Sequence, residues 1–257
     1  MYRGKIRLKI RIDIIIFLLL LGCKQPERDV VTIAAAANMQ FAITEISKAF
    51  TKQTGIQCEL VISSSGKLTA QIKEGAPYDI FVSANMKYPN EIYASDLAVY
   101  PPKIYGYGQL VLWSMYDSIQ PSIKILTDES LQHIALANPK TAPYGQAAVE
   151  VLENYNIYNQ VKGKLVYGES IAQTNQFITS KSLEIGFTSK SVVLSPKMKD
   201  KGHWIVLDEQ KYLPIEQGVV MIKKENQNVK GTQQFYDFLF SAEAKEILEE
   251  FGYLRAE

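Results

Sequence analysis

The sequence predicts an α/β protein with largely parallel sheets. Three observations carry that expectation. From Val30 onward, short β-rich runs alternate with amphipathic helical stretches. Several of the β-rich runs end in small polar residues from which a helix starts at once. With 257 residues, 47% hydrophobic and 21% charged, the chain can bury one large core or two modest ones.

The first strand is expected over residues 30–36 and the first helix over 39–53. Phe41, Ile43, Ile46, Ala49 and Phe50 recur there near the helical period, and Gly55 stops the helix. Residues 57–62 read as the second strand, and 67–74 as a helix closed by Gly75-Ala76-Pro77. Residues 79–84 form a third strand, while 105–113 and 218–223 are apolar strands far apart in sequence. Between them a second series is expected: strand 134–137, helix 145–155, strand 165–167, helix 171–180 and strand 184–188. Helices over 233–239 and 242–251 close the chain. No repeat of fixed period appears, and this pattern alone fits one long sheet as well as two lobes.

The N-terminus is different in kind. Arg3, Lys5, Arg7, Lys9 and Arg11 precede an apolar run over 14–21, then Gly22 and Cys23, which is the order of a signal peptide over residues 1–22. Eight apolar residues fall far short of the ~20 that span a bilayer as a helix. Leu20-Leu21-Gly22-Cys23 resembles the bacterial lipobox. That resemblance implies cleavage before Cys23, lipidation of its thiol, and a lipid-anchored linker over 23–29 that holds an extracytoplasmic protein at the membrane.

Losing the leader removes five of the 28 basic residues and one of the 27 acidic ones, leaving 23 against 26, a net charge of −3. Such a surface does not suggest nucleic acid, which needs clustered Lys and Arg. Cys58 then stands alone in an apolar strand and reads as a small buried hydrophobe. His133 and His203 lie far apart, so no Cys/His cluster or visible carboxylate cluster offers a metal site.

Four strand-to-helix turns carry the chemistry: Ala37-Asn38, Ser63-Ser64-Ser65-Gly66, Ala142-Pro143-Tyr144-Gly145 and Gly168-Glu169-Ser170-Ile171. Each leaves free backbone N–H groups at a helix N-terminus, where the helix dipole also favours an anion. One such turn is an ordinary cap. Four at strand C-terminal ends describe a site, because open α/β folds bind ligands there. It would recognise an anion by geometry and hydrogen bonds, without a full positive charge. Enzyme motifs fail by comparison. Ser65-Gly66-Lys67 has Val61 and Leu68 where a phosphate-binding P-loop needs Gly and Ser or Thr, and no G-x-S-x-G elbow occurs.

Ile33-Ala34-Ala35-Ala36-Ala37-Asn38, Ser64-Ser65-Gly66-Lys67-Leu68, Gly75-Ala76-Pro77-Tyr78-Asp79-Ile80-Phe81, Asn138-Pro139-Lys140-Thr141-Ala142-Pro143-Tyr144-Gly145, Gly168-Glu169-Ser170-Ile171 and Gly186-Phe187-Thr188 resemble the substrate-binding component of the molybdate ABC importer. The resemblance runs over nearly all of the mature chain. It implies the two-lobed class II periplasmic-binding-protein fold, each lobe a mostly parallel sheet flanked by helices, with the ligand in the cleft. Lobe 1 would hold residues 30–115 and 212–257, and lobe 2 residues 116–211.

The resemblance also implies a non-enzymatic, monomeric receptor without a cofactor, which delivers molybdate or tungstate to an importer permease. Oxyanion donors carried over from the family are Asn38 with the amide of Ala37, Ser65, Tyr144, and Ile171 through its backbone N–H. Ser189 stands where some members place a donating Tyr and is a further candidate. A receptor for another oxyanion such as sulfate, and a secreted hydrolase on the same fold, are the alternatives.

Overall fold

In the computed structural model, residues 30–224 and 229–256 are described, and their ten strands divide into two five-stranded sheets. The leader, the linker and Cys23 lie outside the described residues. The chain builds β1 (Val30–Ala36), α1 (Gln40–Thr54), β2 (Gln57–Ser63), α2 (Ser65–Lys73), β3 (Ile80–Ser83), α3 (Lys87–Ala94) and β4 (Lys103–Gly108). It continues through β5 (Leu110–Ser114), β6 (Ile134–Ala137), α4 (Pro143–Asn154), α5 (Tyr158–Val161), β7 (Leu165–Gly168), α6 (Ile171–Thr179), β8 (Ile185–Ser189), α7 (Lys190–Val193) and β9 (His203–Val206). It returns as β10 (Ile215–Met221), α8 (Val229–Phe238) and α9 (Ala242–Glu250).

The first sheet has the order β2-β1-β3-β10-β4 and the second β7-β6-β8-β5-β9. In the first, β1 pairs in parallel with β2 and β3, and β10 runs antiparallel between β3 and β4. The second repeats this plan, with β6 parallel to β7 and β8 while β5 runs antiparallel between β8 and β9. Each sheet is therefore mixed, with one strand opposed to four.

Where the sequence reads one strand over 105–113, the structure has two in different sheets, separated by Gln109. Leu110, Val111, Leu112 and Trp113 are fully buried, and apolar residues stand on both sides of the crossing, so hydrophobicity alone does not mark it. Gly108 and Gln109 make the break. A Cβ at Gly108 would sit 2.0 Å from the Tyr144 hydroxyl, and the Gln109 carbonyl accepts from the Lys190 N–H at 2.9 Å. The first crossing thus falls at Gln109 rather than near residue 115, and β5 belongs to the second sheet. The return crossing lies between Val206 and Ile215. Four elements have no counterpart in the sequence reading: α3, which carries Pro89 in its first turn, the one-turn helices α5 and α7, and β9, a half-buried edge strand.

Both faces of the first sheet are covered. Val31, Ile33 and Ala35 of β1 pack with Ile43, Ile46 and Phe50 of α1 and with Phe235 and Leu248. Ala34, Phe81 and Val220 face Leu68 and Ile72 of α2 and Ile92 of α3. Period-two alternation along β1 sends its side chains to these two cores in turn. Phe50 meets Phe235 edge-to-face, centroids 5.1 Å apart. The second sheet has its own core around Trp113, Leu136, Val151, Ile178 and Phe187. Helix ends follow local chemistry: Gly55 stops α1 at φ +78°, Pro143 opens α4, and the Ser170 hydroxyl caps α6 by accepting from the Gln173 N–H.

Candidate functional site

The turns after β1, β2, β6 and β7 converge. Ala36, Ala37, Asn38, Ser64, Ser65 and Ala84 from the first sheet's side meet Ala142, Pro143, Tyr144 and Ile171 from the second, around one small cavity. All ten are buried. No Lys, Arg, His, Asp or Glu is among them. Among the described residues there is also no group of three or more His, Cys, Asp or Glu suited to a metal ion.

The two sides touch along the rim. The Gly66 N–H donates to the Thr141 carbonyl at 2.9 Å, and the Tyr88 hydroxyl donates to the Lys140 carbonyl at 3.2 Å. Lys67 pairs with Glu169 at 2.5 Å across the mouth. Gly66 makes this approach possible, because a Cβ there would stand 2.9 Å from the Thr141 Cα and from the Tyr88 hydroxyl oxygen.

Backbone donors supply the polarity. Ser65 is the first residue of α2, Tyr144 the second of α4 and Ile171 the first of α6. N–H groups at these positions have no partner inside their own helices. Pro143 brings no N–H, so Tyr144 is the first donor of its helix. Three helix N-termini pointed at one volume favour negative charge there through their dipoles as well.

Side chains divide into committed and uncommitted groups. The Ser65 hydroxyl accepts from the Ala84 N–H at 3.0 Å, which leaves its own proton to donate. Asn38 is committed. Its amide nitrogen donates to the Gln217 side-chain oxygen at 2.8 Å and to the Tyr253 hydroxyl at 2.9 Å, which uses both hydrogens. Its main-chain carbonyl accepts from the Ser191 hydroxyl at 2.7 Å. Asn38 therefore presents main chain to the cavity, while its side chain holds the turn against β10 and the C-terminus.

The Tyr144 hydroxyl is buried without a hydrogen bond, packed against Gly108 and beside the Asn38 side chain. Burial pushes the phenols of Tyr144, Tyr105 and Tyr253 well above the ordinary tyrosine range, so this cluster is neutral at physiological pH.

Against known proteins, residues 31–254 match the family model for bacterial extracellular solute-binding proteins. The chain belongs to that family. Among its relatives, this solute-binding protein is 33% identical over 222 residues to the molybdate-binding protein ModA of Rhodobacter capsulatus, covering 86% of each chain. It is 33% identical over 237 residues to the molybdate-binding protein ModA of Azotobacter vinelandii, covering 91% of this chain and 93% of that one. The solved periplasmic molybdate-binding protein of Azotobacter vinelandii superposes with a TM-score of 0.83 at 27% identity, over 88% of this chain and all of that one. The two-lobed α/β fold of periplasmic binding proteins is thereby shown for this solute-binding protein.

Of the residues expected from sequence, Ala37, Asn38, Ser65, Tyr144 and Ile171 all line the cavity of the solute-binding protein. Ser189 does not. It is fully buried, and its hydroxyl shares a 2.9 Å hydrogen bond with Ser191, one step from the Asn38 carbonyl. Sequence reasoning also passed over Gln217, Ser191 and Tyr253, which support Asn38 from behind. Gln217 had a visible signal, as an uncharged polar residue inside the run Ile215–Met221, and the structure buries it completely. Ser64 was seen only as part of its turn, yet its hydroxyl is buried at the cavity wall without a protein partner.

Proposed function

We propose that this extracellular solute-binding protein captures molybdate or tungstate between its lobes and delivers it to the permease of an ABC importer. The observation that carries the reading is the cavity itself: buried, uncharged, and ringed by the first residues of α2, α4 and α6. A fully ionised tetrahedral anion offers acceptors in every direction, which is what such a lining requires. The names of the two ModA relatives support the identity of the anion.

The lobes are then residues 30–109 with 215–256, and 110–206. The bound anion bridges them and favours the closed arrangement, a hinge motion typical of periplasmic binding proteins. The donors to the anion are the main chain of Ala37 and Asn38, the hydroxyl of Ser65, and the backbone N–H groups of Tyr144 and Ile171. Cys23 carries the lipid, and the protein acts as an extracytoplasmic monomer that binds without chemical conversion.

Calorimetric titration of the mature protein with molybdate, tungstate and sulfate tests this. Molybdate and tungstate, nearly equal in size, should bind almost alike. Sulfate is smaller, and donors fixed on two lobes would have to stretch to reach its oxygens, so it should bind at least about 100-fold more weakly, or ~2.7 kcal/mol. Equal affinity for sulfate would replace the proposal with that of a sulfate receptor.

A further inference from the structure

We propose that the Ser64 hydroxyl is a further donor to the bound oxyanion and a determinant of its affinity, an inference that rests on the cavity being the anion site. Ser64 is the N-cap of α2, with extended backbone at φ −74° and ψ 149°. A serine there normally turns its oxygen back to accept from the second or third N–H of the helix. Ser64 makes no such bond. The residue is only 3% exposed, its oxygen has no hydrogen-bond partner in the protein, and it lines the cavity beside Ser65.

A buried hydroxyl without a partner is unfavourable, and few survive in folded proteins without a compensating role. The Asn38 and Ser65 side chains, which also line the cavity, each have protein partners. The Asn38 amide is saturated by Gln217 and Tyr253, and the Ser65 oxygen already accepts from Ala84. The Tyr144 hydroxyl, also without a hydrogen bond, packs against Gly108 and beside the Asn38 side chain, whose amide hydrogens are already used. Ser64 thus holds an uncommitted proton at the wall of a volume suited to an anion. An oxyanion there supplies the acceptor that the protein withholds, and two consecutive hydroxyls from one turn then act on the same ligand.

Molybdate titration of the wild type, Ser65→Ala, Ser64→Ala and the near-isosteric Ser64→Cys, each also melted without ligand, tests the assignment. Ser64→Ala should lower molybdate affinity by about 10- to 150-fold, the range for one hydrogen bond to a charged group. Its unliganded melting temperature should be unchanged or higher, since the oxygen removed has no partner in the protein. Ser64→Cys, with a weaker donor of similar shape, should also lose affinity. Wild-type affinity in both Ser64 variants, with Ser65→Ala weakened, would overturn the role of Ser64 and leave the functional reading standing. A drop in unliganded stability in both, with affinity kept, would make Ser64 a helix cap and overturn it too. A wild type that takes up no oxyanion would sink the functional reading itself, and this inference with it.

Discussion

Ser65 and Tyr144 show how two hydroxyls in one neighbourhood differ in consequence. The Ser65 oxygen satisfies the buried Ala84 N–H, so Ser65→Ala orphans that donor as well as removing one from the cavity. Unliganded stability should fall by about 1–3 kcal/mol, and molybdate affinity by about 10- to 150-fold. At this chain length that is a loss of roughly 2–12 °C in melting temperature, readable by scanning calorimetry. A variant as stable as wild type would mean that Ala84 finds another acceptor. Tyr144→Phe should behave oppositely, because its buried hydroxyl makes no hydrogen bond and lies only beside an Asn38 amide whose hydrogens are already used. Removing it should leave stability equal or raised by up to ~1–3 kcal/mol, with affinity kept through the backbone N–H. A large loss of affinity would place the hydroxyl on the ligand.

Among the elements, α2 comes closest to the opposite side of the cavity at the turn before α4. Gly66 lies in the first turn of α2, and its N–H bonds the Thr141 carbonyl in the closed arrangement. An added methyl would collide with main chain at Thr141, which cannot yield as a flexible side-chain tip would. Gly66→Ala also favours the helix by up to ~1 kcal/mol, so the unliganded protein should be no less stable. Molybdate affinity should nevertheless fall by at least about 10-fold, or ~1.4 kcal/mol, with a smaller ligand-induced contraction in X-ray scattering. Unchanged affinity and contraction would show that the lobes close without this contact. The crossing strands illustrate the limit of reading elements from sequence. β4 and β5 look like one strand because only Gly and Gln interrupt the apolar residues from Tyr105 to Trp113, and only pairing partners separate them.

For the molecule as a whole, pH response follows from the buried phenols. Tyr105 and Tyr144 have pKa values raised well above 10 by burial, and Tyr253 is raised likewise. The folded state therefore keeps protons that the unfolded chain begins to release near pH 10. The stability they contribute is full below pH 10 and is lost as pH rises through the folded values. Melting temperature should fall above about pH 10, and Tyr105→Phe should soften that fall. A flat profile to pH 12 would show that these phenols ionise without strain. Across neutral pH the cavity lining carries no titrating group, so molybdate affinity should stay level between about pH 6 and 9. The two sheets also share one topological plan, each with an antiparallel strand inserted beside three parallel ones, although the sequence has no detectable repeat.

The α/β class, the positions of β1, α1, β2, β6 and α6 to within a few residues, and the four turns at strand ends were all legible in the sequence. Periodicity, Gly and Pro punctuation and capping residues act within a few residues of one another, so their meaning is local. The five cavity residues were named through family resemblance, and their convergence required the fold. Which of their polar groups already have protein partners was decided only by tertiary structure. Asn38 looks like a free amide until Gln217 and Tyr253, 179 and 215 residues away, take both of its hydrogens. The Ser189 hydroxyl looks free until it is found bonded to Ser191. Ser64 looks like a cap until its oxygen is seen to cap nothing. A hydrogen bond is exhausted by its partners, and those partners come from the far end of the chain.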